Sequence, residues 1–78
     1  MKEGKRMDIY EKLANEIILQ AVKDYRDALK SLQRNPTYWK AQGIKAECER
    51  FFYSDWFQTL TSLDGRLLVR KLQQEVTL

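Results

Sequence analysis

The chain contains no histidine, so the side chain that most often serves as general base or metal ligand near neutral pH is missing. Its one cysteine, Cys48, falls on the apolar side of a helical pattern, with no histidine to draw off its proton. It reads as a small buried hydrophobe, and a single thiol builds no internal disulfide framework. The carboxylates include closely spaced pairs such as Glu47/Glu49 and Asp24/Asp27. On a helix the first pair diverges and the second sits on a solvated face, so neither makes an acid–base couple. No Gly-rich phosphate loop, HExxH or CxxC occurs. The sequence therefore predicts a non-enzymatic protein with no metal and no cofactor.

What remains is binding chemistry. Lys23, Arg26, Lys30 and Arg34 recur at i, i+3, i+7 and i+11 and share one helical face. Such a face can grip phosphate or an acidic partner surface. The same cations also complement the negative end of a helix and sit within reach of Asp27. Tyr38, Trp39, Phe51, Phe52, Tyr53, Trp56 and Phe57 cluster within 20 residues. The three phenylalanines suit a core. Trp39 and Trp56 are harder to bury in so small a domain, because each indole N–H needs a partner. The expected partner-binding surface joins Trp39, Tyr53 and Trp56 as anchors to the cations Lys23, Arg26, Lys30 and Arg34. The alternative is a small helical DNA- or RNA-binding module using Arg66, Arg70 and Lys71. Its only amide readers, Gln73 and Gln74, lie at the wrong end of that segment to meet base edges.

The elements that must position these residues read as helices. Apolar or small residues fall at Tyr10, Leu13, Ala14, Ile17, Ile18, Ala21, Val22, Tyr25, Ala28, Leu29 and Leu32, the spacing of one helical face. Asp8 with Glu11 resembles a capping box that starts this helix, and Asn35-Pro36 ends it. A second helix follows, capped by Asn35 or Thr37 and carrying Ala41, Ile44, Cys48, Phe51 and Phe52, with Gly43 inside it. Ser54 caps a short third helix anchored by Trp56, Phe57 and Leu60. Asp64 caps a fourth, with Leu67, Leu68, Leu72 and Val76 turned inward. The expected fold is all-α: a small helical bundle of one long N-terminal helix plus two or three shorter helices. Residues 1–7 are expected to form a flexible basic arm, and residues 8–78 a single helical domain.

At 78 residues, 44% hydrophobic and 32% charged, the chain is globular in composition but small, so stability demands an efficient core or an oligomeric interface. The net charge of +3 lies mostly at the start, where Lys2, Lys5 and Arg6 face Glu3. No apolar run reaches the length of a membrane span, and no signal-peptide core opens the chain, which points to the cytoplasm. A 27-residue helix is roughly 40 Å long, whereas a 78-residue globule measures about 30 Å across. The first helix should overhang its own domain with its apolar stripe intact, and a homodimer is the economical cover.

The segments IILQAVKDYRDALKSLQRNP (17–36) and ERFFYSDWFQTLTSLDGRLLVRKL (49–72) resemble a group of short helical proteins encoded by phages and prophages of Gram-positive bacteria. The likeness rests on a DYR-like stretch, the NP break, FF-x-SDWF and the LDG turn, and covers residues 13–76. It implies an accessory protein acting in the host bacterial cytoplasm and carries over no site residue. Proteins of that setting often block a host machine, including defence complexes such as CRISPR nucleases; an assembly role in the virion is a third option.

Overall fold

The computed structural model describes the backbone of residues 2–77 and the side chains of residues 9–76. Among these residues it holds four helices and no strand: α1 (Lys2–Arg34), α2 (Trp39–Phe52), α3 (Asp55–Leu60) and α4 (Gly65–Thr77). This is the expected all-α bundle.

No glycine or proline interrupts the stripe from Tyr10 to Leu32, so the hydrogen-bond ladder of α1 runs unbroken through it. The helix does not begin at Asp8. Its backbone stays helical back to Lys2, which puts Asp8 and Glu11 inside it rather than at a cap. Lys, Arg, Glu and Met are good helix formers, and they extend the ladder where the apolar pattern has ended. The side chains of residues 2–8 lie outside the described residues, and the expected basic arm over residues 1–7 falls there with them.

The α1–α2 junction departs from expectation. The Asn35 carboxamide oxygen accepts from the Thr37 backbone N–H (3.3 Å) and hydroxyl (3.0 Å), so both candidate caps are spent on each other. α2 starts later, at Trp39, with no side-chain cap. The other two caps form as expected. Ser54 Oγ accepts from Phe57 N at 3.2 Å, and Asp64 Oδ1 accepts from the backbone of Arg66 (3.0 Å) and Leu67 (3.3 Å).

The core is aromatic. Tyr25, Phe52 and Phe57 are fully buried, joined by Ile18, Cys48, Val69 and Leu72. Phe52 meets Tyr25 and Phe57 edge-on at 5.8 and 5.7 Å between ring centroids, and Phe51 meets Phe57 at 5.5 Å. These are the geometries that aromatic quadrupoles favour. On α4 the inward set is corrected: Leu72 is buried, but Val69 replaces Leu67, which stays 45% exposed. Gly65 lies against the end of α2, and that phase carries Val69 and Leu72 inward and turns Leu67 out.

Thirty-three helical residues make α1 about 50 Å long, and the molecule measures 50 × 22 × 18 Å. α2 and α4, at 14 and 13 residues, are each roughly 20 Å long and cover less than half of it. Burial on α1 begins at Ile18, while Ile9, Tyr10 and Leu13 stand 59%, 71% and 52% exposed. The first half of α1 is thus an overhang with a bare apolar stripe.

Gly43 meets nothing: a Cβ built there has no heavy atom within 4 Å. Gly43→Ala is therefore expected to stabilise the domain by up to about 1 kcal/mol, raising Tm by about 4–8 °C in a thermal melt. A fall in Tm would reveal a contact over α2 that the structure lacks.

Candidate interaction groove and charged faces

α2 runs back along α1 from the Pro36 turn, and the two helices leave an open groove of about 1010 Å³ along one side, closed at its far end by α3. Its floor is apolar: Ile17, Ala21 and Ala28 from α1, Ala41, Ile44 and Phe51 from α2, and Trp56 from α3. Ile44 is 42% and Trp56 57% exposed, so the floor is not sealed by the chain's own side chains. Trp56 is held edge-on by Phe51 at 5.3 Å between centroids. The walls are acidic, with Glu16, Asp24 and Asp27 on α1 and Glu47 on α2, against Lys40 alone of opposite sign among the lining residues. The thiol of Cys48, at the floor, registers this field. Burial pushes it up to about 11, and the carboxylates of Asp24, Glu47 and Glu49 add to the rise. At neutral pH it is a protonated, inert thiol.

Behind the groove a polar chain ties three helices together. The Tyr25 hydroxyl donates to Glu49 Oε2 at 2.6 Å and accepts from Gln73 Nε2 at 3.0 Å, while Lys45 Nζ donates to the same Glu49 oxygen at 2.8 Å. Burial alone would raise Glu49, but the hydrogen bonds from Lys45 and Tyr25 outweigh it and hold its carboxyl below the usual carboxylate range. Burial and the neighbouring Glu49 push the Tyr25 phenol well above its ordinary value.

The surface expected from the sequence is not one surface. Trp39 and Tyr53 stand at opposite ends of α2, roughly 20 Å apart along its axis. Trp39 is 71% exposed with the Lys40 ammonium 5.5 Å from its ring, whereas Tyr53 lies beneath the Arg66 guanidinium at 5.4 Å. Trp56 faces the groove. The cations Lys23, Arg26, Lys30 and Arg34 are all exposed, but none lines that groove. Arg26 reaches α4, where its Nε and Nη2 donate to the two Glu75 oxygens at 2.9 and 3.2 Å. Gln33 donates to the Val76 carbonyl on the same side. One member of the basic face therefore helps to hold α4 in place.

The candidates for nucleic-acid contact, Arg66, Arg70 and Lys71, are exposed on α4 with Tyr53 beside the first. The acidic groove walls escaped the sequence reading, in which Asp24 and Asp27 were merely solvated. The signal was present in the run Glu16, Asp24 and Asp27 along one edge of α1, beside the apolar stripe. Among the described residues no cluster of His, Cys, Asp or Glu could hold a metal ion, and no helix is long and apolar enough to cross a membrane. No protein-family model, curated protein or solved structure matches the chain.

Proposed function

We propose that this chain is a non-enzymatic interaction protein whose α1–α2 groove receives an amphipathic helix flanked by basic residues. The observation that carries this is the groove itself: an unsealed apolar floor, with Ile44 and Trp56 open to solvent, between walls bearing four carboxylates. Apolar burial supplies affinity in helix-in-groove docking, and complementary charge supplies register and rate. The charge of the walls inverts the sequence expectation, which had cations steering towards an acidic partner. The resemblance to phage and prophage proteins supports a setting in the host bacterial cytoplasm, with a host defence complex such as a CRISPR nuclease as the kind of machine whose surface helix is captured.

The test is a photo-crosslinker at position 44, exposed to lysate of a Gram-positive host, with the captured protein then identified. Asp24→Lys with Glu47→Lys is expected to abolish capture, and Arg66→Glu with Arg70→Glu to leave it unchanged. Capture that survives reversal of the walls would overturn the groove as the docking site.

A second reading, nucleic-acid binding through α4, is favoured by the exposed Arg66, Arg70 and Lys71 and the Arg66–Tyr53 stack. A gel shift at two salt concentrations separates the two, since phosphate-driven binding weakens steeply with salt.

A further inference from the structure

We infer that the helix which fills the groove in the isolated protein is the overhanging half of α1 from a second copy, packed antiparallel so that two grooves are filled reciprocally. This rests on the groove being a docking surface for a basic-flanked amphipathic helix, and names its occupant.

Three observations converge on the same chain. The first is length. The overhang, residues 2–16, and the stretch of α1 that lines the groove, residues 16–31, are both roughly 22 Å long. Overhang and groove therefore match end to end when two chains run antiparallel with Ile17 near the twofold axis. The second is continuity. Tyr10, Leu13 and Ile17 follow one another at helical spacing, and Ile17 is already part of the groove floor. The bare stripe of the overhang thus points along the groove side of α1, so one continuous apolar surface serves both as ligand and as receptor. That self-complementarity is what a twofold interface requires.

The third is charge. Residues 2–16 carry Lys2, Lys5, Arg6 and Lys12 against Glu3, Asp8, Glu11 and Glu16, so the overhang is neutral as a whole and basic only at its tip. The antiparallel pairing about Ile17 brings positions 2–6 of one copy alongside positions 28–32 of the other, just beyond Asp27, at the end of the groove that also carries Lys40. A parallel pairing would place the basic tips together and leave both acidic grooves empty. A foreign helix entering the groove would exchange with the second copy.

The test uses the purified full chain. Sedimentation equilibrium is expected to give two chains per particle at micromolar concentration. Tyr10→Glu with Leu13→Glu, both at exposed sites, is expected to give single chains with the core melt retained. Mild oxidation of Ile17→Cys should yield covalent dimer rapidly, because the two copies of position 17 face each other. Tyr10→Cys, opposite position 24 of the partner copy, and Leu19→Cys, 65% exposed on the far edge of α1, should not. Cys48 is buried and stays silent in this assay.

Single chains at a hundred micromolar would overturn the inference, as would self-linking of Tyr10→Cys, which reports parallel pairing. The docking reading fails separately. If the chain is monomeric yet capture from lysate still depends on Asp24 and Glu47, the groove takes a foreign helix and the second copy is not its occupant.

Discussion

Gly65→Ala is expected to cost this domain about 3 kcal/mol or more and to lower Tm by roughly 12 °C at least. A Cβ at position 65 would lie 1.9 Å from the Phe52 carbonyl oxygen and 2.9 Å from its carbon, with the Phe57 ring at 3.4 Å. The first two are backbone atoms at the end of α2, so no side-chain rotation relieves the overlap. Either α4 lifts from α2, unsealing Phe57, or the last turn of α2 distorts. The backbone of Gly65 needs no left-handed conformation, so the requirement is purely one of close approach. A domain of this size has about 4–12 kcal/mol in total at the usual per-residue stability, so the loss should be visible as a much lower melting midpoint by circular dichroism. An unchanged midpoint would mean that α4 packs less closely than described. The opposite sign expected for Gly43→Ala makes the pair a control for helix propensity.

Tyr25→Ala is expected to have a comparable or larger effect, about 3–5 kcal/mol. The ring is fully buried between α1, α2 and α4 and stands edge-on to Phe52. Truncation leaves a cavity where α1 meets both α2 and α4. Tyr25→Phe separates packing from polarity. It keeps the ring and removes the donor to Glu49 and the acceptor offered to Gln73, at an expected cost of about 1.5–3 kcal/mol for a bond to a charged group. The pH profile carries a second signature. Glu49 sits below its ordinary value of 4.5, so its contribution is fully present above that pH and is lost as pH falls through the folded value. Tyr25 sits above its ordinary value of 10.0, so its contribution is present below that pH and lost as pH rises beyond it. In urea titrations across pH, Tyr25→Phe should flatten the acid limb in part, since Lys45 remains on Glu49, and should remove the phenol's share of the alkaline limb. A variant whose pH profile parallels the parent's would show that the phenol is not coupled to Glu49.

Much of this architecture was written locally. The stripe from Tyr10 to Leu32, the breaks at Pro36 and at Asp64-Gly65, and the caps at Ser54 and Asp64 are all short-range signals, and the helices follow them. Where local signals compete, tertiary packing chooses between them. Asn35 and Thr37 each can cap a helix, yet they bond one another, and that choice depends on how the turn closes. Leu67 looks as apolar as Leu68, but only the phase set by Gly65 against Phe52 decides which of them faces inward.

The candidate site divides along the same line. The amino-acid order alone determined that α1 would outrun its domain, because the period of its apolar residues persists past any length that two half-length helices can cover. It also marked Trp39 and Trp56 as the aromatics hardest to bury, since a core this small has few places to satisfy an indole. Which residues become neighbours was decided by the packing of α2 against α1. That packing gathers Asp24, Asp27 and Glu47 around Ile44 and Trp56, while the packing of α4 on the other flank brings Glu75 to Arg26. The sign of charge that a partner meets depends on which edge of a helix is left open, and that is a property of the assembled helices rather than of any stretch of chain.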